Sequence, residues 1–428
     1  MKICMVVHNS VLFDARVRKE ARSLSDNNFK VDIFGFSSKE VEVPNHIENC
    51  NLKIANLFRN KTKKEKIKVT IFKAIKKISK IKFLDKLVQK YILSQLIEAR
   101  LLTVVNLIYS EIDGDKYDVI HAHDIIGLMV AMKLKKKYCS LKIVWDAHEF
   151  YPKIVILNRP DEQPVYQKLY RQVIIESSSK IDFFITINES AKKYYQKNFP
   201  KLPPATILMN ASRRPQKKPL QYGSLRSMAS LANDQRVVIF HGGLSLGRGI
   251  KMLLDAVDRL PVNWSILFMG SGPLEDEISQ KILTTKRLRP KGRDPLNILP
   301  MVDLDDLSFW TSQADVGVIP YENIGPNHLY CTPNKIWDYA SSGIPIIATN
   351  LPEMSLLIKK YNLGFLLPKT FSDDDFLNIL KKFDDSKIKE ISGNCVKFSE
   401  KECWEKYEPN LIKIYEDIAV QLNKRDLI

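Results

Sequence analysis

The sequence predicts an α/β protein of two similarly built halves, each around a parallel sheet, with a cleft between them. Three observations predict it. The chain opens on a β-α-β pattern, strand Lys2 to Val7, helix Asp14 to Leu24 and strand Phe29 to Phe34, which favours a parallel sheet with ligands at the strands' C-terminal ends. The same grammar restarts at Arg236 to Phe240, a strand that runs into a glycine-rich turn and a helix from Ile250 to Leu260. Between the two, residues 213–235 change composition and read as a linker, and 428 residues exceed what one core usually holds.

Taken in order, the first strand ends at His8-Asn9-Ser10, and Asp14 stands where a helix takes an acidic first residue. Val17, Ala21 and Leu24 then recur at helical spacing. No G-x-G-x-x-G follows, so dinucleotide binding in its usual fingerprint form is not supported. From Arg59 to Lys90 lysines crowd the chain, with Ile71, Ile75, Ile78 and Ile81 at helical spacing opposite them, continuing to Leu84, Leu87 and Val88. This basic amphipathic segment, 59–97, suits an anionic membrane surface; it equally reads as a helix packed on its own domain with a solvated lysine face. Lysine dominance and sparse aromatics argue against nucleic acid.

Tyr117 to Asp124 is a strand that ends in His121, His123 and Asp124, so polar side chains emerge where a site should lie. Alternation turns one of the two histidines inward. His-x-His also begins some metal sites, but no further ligands stand at recognised spacing, and no metal is expected. A helix from Leu128 to Tyr138 and a strand from Lys142 to Trp145 lead to a second polar burst, Asp146-Ala-His-Glu149. There Asp146 and Glu149 are candidates for a general base or for orienting His123 or His148. Asp182 to Ile187 is a strand, Asn188 caps the helix after it, and Thr206 to Met209 closes the half.

In the second half, Gly242, Gly243, Gly247 and Gly249 let backbone approach a phosphate closely, and Arg248 adds a charged donor; the alternative is a plain βα turn. Strands follow at Trp264 to Met269 and Ala314 to Pro320. Tyr330 to Ala348 then reads as a loop, a short helix started by Pro333 and stopped by Gly343 and Pro345, and a buried strand. Unpaired N–H groups at that helix start, with Asp338 one turn further in, fit phosphate and sugar hydroxyls of one nucleotide-sugar; otherwise Asp338 is a surface acid.

Composition is globular, 45% hydrophobic and 27% charged, and the net charge of +17 asks for an anionic partner. The six cysteines show no C-x-x-C spacing, which argues against a zinc site or disulfide framework and for a reducing cytosol. No signal peptide or membrane-length apolar run is visible, so the expectation is a cytoplasmic protein, peripheral on the inner face of the cell membrane if the lysine segment docks there.

These residues carry a resemblance. Asp14-Ala-Arg-Val17, His121-Ala-His-Asp124, Asp146-Ala-His-Glu149, Gly242-Gly-Leu with Arg248-Gly249, Gly270-Ser-Gly-Pro273 and Pro333-Asn-Lys-Ile-Trp-Asp338 stand in the order of the GT-B glycosyltransferases. Over nearly its whole length the chain resembles the retaining glycosyltransferase family four, also described as glycosyl transferases group 1. The resemblance implies two Rossmann-like domains facing each other across a cleft: 1–212 on the acceptor side and 236–402 on the donor side, joined by 213–235, with 403–428 crossing back as a helix onto the first. It implies a nucleotide-sugar held by Gly242, Gly243, Pro333, Asn334, Lys335 and Asp338, and neither metal nor cofactor. His123 matches the histidine beside the transferred sugar and diphosphate, and Arg248 the base that neutralises the leaving diphosphate. Asp338 takes the place of a ribose-binding glutamate. Asp14, Asp124, Asp146, His148 and Glu149 are acceptor-side or supporting candidates.

Many relatives carry a base where this chain has Gly243 and a glutamate where it has Tyr330. The expected function is transfer of a sugar to a growing bacterial cell-surface glycan on a lipid-linked acceptor, with retention. The rivals are a catalytically weakened GT-B scaffold or regulator of a polysaccharide-assembly complex, and a nucleotide-sugar epimerase, whose acidic and histidine set does not align here.

Overall fold

The computed structural model describes all residues except 39–41, 43, 57–85, 215–222, 286–288, 291–292 and 426–428. The lysine-rich part of the 59–97 segment up to residue 85, and 215–222 of the expected linker, lie outside the described residues. The chain forms two units, Met1–Leu208 together with Glu408–Ile428, and Met209–Tyr407.

In the first unit, strands β1 (Lys2–Val6), β2 (Lys30–Ser37), β3 (His46–Ile47), β4 (Cys50–Asn56), β5 (Val119–His123), β6 (Lys142–Ala147), β7 (Phe183–Thr186) and β8 (Ala205–Ile207) form one sheet. Their order is β3-β4-β2-β1-β5-β6-β7-β8, and only β3 against β4 is antiparallel. Strands β5 and β6 are buried along their whole length, as interior parallel strands covered on both faces must be. That burial takes Asp146 and both His121 and His123 inside with the apolar residues, where only one of the histidines was expected to turn inward: two positions apart on a strand, they share a face. Strand β1 lies between β2 and β5, with Met5 opposite both Ile33 and His121. The strand order reverses there, which opens a crevice beyond the C-terminal ends of β1 and β5.

The helix Ala15–Asp26 covers this sheet with Val17, Ala21 and Leu24 buried. Lys86–Ser110 is a second helix, and within it Lys90–Ser110 is long and apolar enough to cross a membrane by length and composition. Its Ile97, Leu101, Val104, Val105 and Ile108 instead join the hydrophobic core of the first unit. The final helix, Glu408–Arg425, buries Leu411, Ile414, Tyr415 and Ile418, one stripe at helical spacing. Tyr415 packs on Phe29, with ring centroids 5.6 Å apart.

The second unit holds six parallel strands: β9 (Arg236–His241), β10 (Trp264–Met269), β11 (Leu296–Leu299), β12 (Val316–Ile319), β13 (Ile346–Thr349) and β14 (Gly364–Leu367). Their order is β11-β10-β9-β12-β13-β14, so the reversal falls between β9 and β12. At that point Gly249 starts the helix Ile250–Ala256 with φ of 67°, and a Cβ on it would sit 2.0 Å from the Pro320 carbonyl oxygen. Only glycine meets both demands. The helix is shorter than expected, because Val257–Arg259 tightens into a 3-10 turn. The helix after Pro333 runs Lys335–Ser341, and Gly343, with φ of 70°, turns the chain towards β13.

The expected 213–235 linker lies beside the unit boundary. Its described residues belong to the second unit, and Leu225–Met228 is a helical turn within them. Arg226 fastens that turn, donating to the carbonyls of Gln235 (3.0 Å) and Gln313 (2.8 Å) and to Asp315 (2.8 Å). A five-donor guanidinium in that position anchors the segment to the strands it precedes. At the other end, residues 403–407 stay with the second unit and only Glu408 onward joins the first.

Candidate active site

The first unit gathers a buried ionic cluster at its switch point. His123, the last residue of β5, pairs across the sheet with Asp146 of β6. Asp146 is fully buried, and Arg16 grips it with Nε at 2.7 Å and Nη2 at 2.8 Å. The third Arg16 donor goes to the Leu208 carbonyl at 2.8 Å. Asp146 also meets His148 Nε2 at 2.7 Å and His123 Nδ1 at 3.4 Å. Burial alone would raise the Asp146 pKa, but the charges of Arg16 and His148 hold it well below the usual carboxylate range. Burial likewise opposes the charge on His148, yet Asp146 and Asp124 push its pKa well above the ordinary histidine value. His148 is therefore a cation, held between Asp146 and the Asp124 carboxylate at 3.2 Å.

Asp124 takes the Tyr151 hydroxyl at 2.5 Å, and its pKa is lowered to about 2, burial being outweighed by His148. Its φ of 62° is left-handed, a conformation that costs an L-residue roughly 1–2 kcal/mol. Strain of this kind persists where the surroundings fix it, and it gathers at sites.

Deeper in the cluster, His121 stacks on His123 with ring centroids 4.3 Å apart. Tyr415 reaches His121 Nδ1 at 2.6 Å, and Glu20 faces His121 Nε2 at 3.5 Å. Burial first, and then the neighbouring Asp146, push the Glu20 pKa up to about 7 even though Arg16 Nε stands 3.0 Å away. His123 Nε2 is buried with no hydrogen-bond partner among the described residues, while Nδ1 faces Asp146.

Glu20, His121, His123 and Asp146 each offer a ligand atom, all within 4.8 Å of one another. Spacing along the sequence hides this group, because Glu20 and Asp146 come from elements other than β5. Arg16 stands within 3.0 Å of both carboxylates, so the donor set already encloses a cation.

In the second unit the switch point holds two cations. Arg248 donates to the Tyr321 hydroxyl at 2.8 Å, and Lys335 Nζ reaches the same oxygen at 3.4 Å. The ammonium lies under the glycine turn, since a Cβ on Gly242 would stand 3.1 Å from it. A Cβ on Gly243 would meet Arg248 Cζ at 4.0 Å, so this position faces the guanidinium. Asp338 accepts from Ser212 Oγ at 2.8 Å and faces His241 at 3.8 Å. Burial and then the Lys335 charge hold the His241 pKa well below normal, so His241 is neutral. The helices that follow Gly249 and Asn334 have seven residues each, so the formal positive charge at this switch point comes from Arg248 and Lys335.

The expected site residues divide accordingly. His123, Asp124, Asp146 and His148 meet in the first unit, and Gly242, Gly243, Arg248, Lys335 and Asp338 in the second. Pro333 and Asn334 lie in the turn that starts the Lys335 helix. Asp14 is a helix cap, accepting from Arg16 N (3.2 Å), Val17 N (3.1 Å) and Asn9 Nδ2 (2.7 Å). Glu149 is exposed, and its backbone carbonyl takes the Tyr195 hydroxyl, so of the two acids it is Asp146 that reaches the histidines. Arg16, Glu20, Tyr151, Tyr321 and Tyr415 escape the sequence reading. Arg16 and Glu20 leave one signal, charges four apart beside the apolar stripe of Val17, Ala21 and Leu24.

Residues 16–209 match the family described as Glycosyltransferase Family 4, and residues 235–382 match Glycosyl transferases group 1. The chain belongs to the GT-B glycosyltransferases. Among curated proteins this glycosyltransferase is 27% identical over 127 residues to TuaH of Bacillus subtilis, whose name assigns it to teichuronic acid biosynthesis. That match spans 29% of each chain, under a third of TuaH's length. It is 23% identical over 324 residues to an uncharacterized glycosyltransferase of Methanocaldococcus jannaschii, covering 73% of this chain and 78% of that one. The fold matches Anabaena HepE, solved with UDP and glucose, at a TM-score of 0.65 and 15% identity, covering 97% of this chain and all of HepE.

Proposed function

We propose that the glycosyltransferase moves a sugar from a nucleotide-sugar to a lipid-linked acceptor of bacterial cell-surface polysaccharide synthesis, with retention at the anomeric carbon and on the cytoplasmic face of the membrane. The observation that carries the reading is the pair Arg248 and Lys335, which converge on Tyr321 beside the Gly242-Gly243 turn. Two cations beside a glycine turn suit a diphosphate. HepE's bound UDP and TuaH's name support a nucleotide-sugar and a surface glycan.

In this reaction the bond from the anomeric carbon to the diphosphate breaks, the acceptor oxygen forms the new bond and releases its proton, and nucleotide diphosphate departs. Arg248 and Lys335 meet the charge left on the diphosphate. Gly242 and Gly243 let it approach, Asp338 takes the ribose hydroxyls, and Pro333 and Asn334 shape the turn around it. His123 Nε2 positions the sugar or supports the same charge, with its ring held by Asp146. Asp124, His148 and Tyr151 keep that support rigid, and neither metal nor cofactor has a step. The 59–97 lysines dock the enzyme on anionic lipid, not nucleic acid.

A thermal-shift screen against nucleoside diphosphates and nucleotide-sugars tests the donor, with release of nucleoside diphosphate in the presence of lipid-linked acceptors as the activity readout. Selective stabilisation that is lost in Arg248→Ala supports the reading. Silence across the screen from folded protein favours the scaffold. Near-normal turnover by folded His123→Ala removes that residue's role. Unchanged liposome binding after charge reversal of the 59–85 lysines removes the docking.

A further inference from the structure

Lys335 is an unusual cation. Its side chain is buried, with Nζ 5.0 Å from the Phe240 ring centroid and 5.7 Å from that of Tyr321. An ammonium carries three donors. The acceptor recorded for this one is the Tyr321 hydroxyl at 3.4 Å, an oxygen that already takes Arg248 at 2.8 Å. The ionisable groups around it are Arg248, Tyr321, Cys331, Asp338 and His241. The Tyr321 hydroxyl and the Cys331 thiol are each pushed up to about 12, chiefly by burial, so both stay neutral. His241 is neutral as well, and Asp338, the remaining acid, spends one oxygen on Ser212. Burial, and then repulsion from Arg248, lower the Lys335 pKa to about 7. The ammonium thus faces a glycine turn with donors to spare and a second cation beside it.

We propose that Lys335 anchors the donor's diphosphate and takes up a proton from solvent as the diphosphate binds, so that donor affinity is set by pH around neutrality. The proposal rests on the transferase reading above and adds the proton to it. A diphosphate placed between Arg248 and Lys335 supplies the missing acceptors and reverses the local field, which raises the pKa of Lys335 in the complex. Below pH 7 the residue is already charged and binding moves no proton. Above it, each binding event carries one proton in, and the dissociation constant climbs with pH until the pKa of the complex is reached. From pH 6.5 to 8.5 the linkage amounts to roughly 20-fold weaker binding.

The test is calorimetric titration of the full chain with UDP-glucose, GDP-mannose and ADP-glucose, whose diester phosphates do not titrate near neutrality. Titrations at pH 8.0 in HEPES and in Tris, buffers of different ionisation heat, count the protons. The expected result for the nucleotide-sugar that binds is uptake of about 0.9 proton at pH 8 and about 0.1 at pH 6. Lys335→Arg, permanently charged, binds with no uptake and with affinity independent of pH, and Lys335→Met binds weakly with no uptake. Tight binding by the unaltered protein with no proton uptake at pH 8 overturns the inference and leaves the transferase reading standing. Binding of none of the three by folded protein overturns both.

Discussion

Glu20→Gln is expected to stabilise the protein above neutral pH. Glu20 lies fully buried on the helix that caps at Asp14, between Arg16 and His121, and its pKa rises from 4.5 to about 7, burial being the largest cause and Asp146 the next. Between these two values the folded protein keeps a proton that the unfolded chain has released. Stability therefore falls as pH rises through this window and levels off above it. A span of about 2.5 units at 1.36 kcal/mol each is on the order of 3 kcal/mol lost by pH 8. Glutamine keeps the shape of the protonated side chain and does not ionise. The variant should match the unaltered protein near pH 5 and melt above it at pH 8, by roughly 2–4 °C for each kcal/mol in a domain of this size. Thermal denaturation followed from pH 5 to 8.5 measures the difference. Parallel curves across the range, or a variant less stable at pH 8, would refute the assignment of the proton to Glu20.

Asp146→Asn removes the anion between Arg16 and His148 and leaves buried Arg16 without its carboxylate while His148 keeps Asp124 alone, a loss of about 3–5 kcal/mol that equilibrium denaturation would detect. Because the Asp146 pKa is depressed, its contribution is present above the unfolded carboxylate value and fades as pH falls, so the gap between variant and parent should narrow in acid. Arg248→Ala should lower kcat by about 10²–10³, the loss typical of one preorganised donor to a leaving group, with the melting temperature nearly unchanged. Ser212→Ala removes the hydroxyl that donates to Asp338 and should weaken nucleotide affinity with kcat held, read as a change in KM alone.

The fold was legible because its signals are local and repeated. β1 and β9 are short apolar runs that end at polar turns, and each is followed by a helix that buries apolar residues. The clustering of polar residues was legible where a strand ends in ionisable residues, as at His123 and Asp146, since parallel strands deliver those positions to one edge. What sequence could not supply is partnership across the sheet. Tyr415 sits in the stripe of Leu411, Ile414 and Ile418 and looks like core until its hydroxyl is seen on His121, 294 positions away. Asp14, an acid at a helix start beside a strand end, has a structural partnership that the sequence shows only in part: its oxygens accept from the helix N–H groups and from Asn9. Composition from Arg213 to Pro219 reads as a connector, and the hold of Arg226 further on, across to Asp315, is invisible along the sequence.

The two polar clusters differ in one respect that bears on mechanism. In the first unit Arg16 and the charged His148 stand against Asp146 and Asp124, and the protonated form of Glu20 adds nothing, so the group is balanced within itself. Such a cluster holds geometry, and a neutral interior can do so without a ligand. In the second unit Arg248 and Lys335 share a phenol, and neither pairs with a carboxylate among the described residues. Two buried or half-buried cations side by side lose hydration and repel each other, and an anion of two charges relieves both costs together. The asymmetry fits the proposed division of tasks, in which the His123 side gives rigid support and the Arg248 side accepts charge. It also predicts that ligand-induced stabilisation should fall with added salt when the second cluster carries it, whereas the pH dependence contributed by Glu20 and Asp146, being screened by protein and not by water, should not.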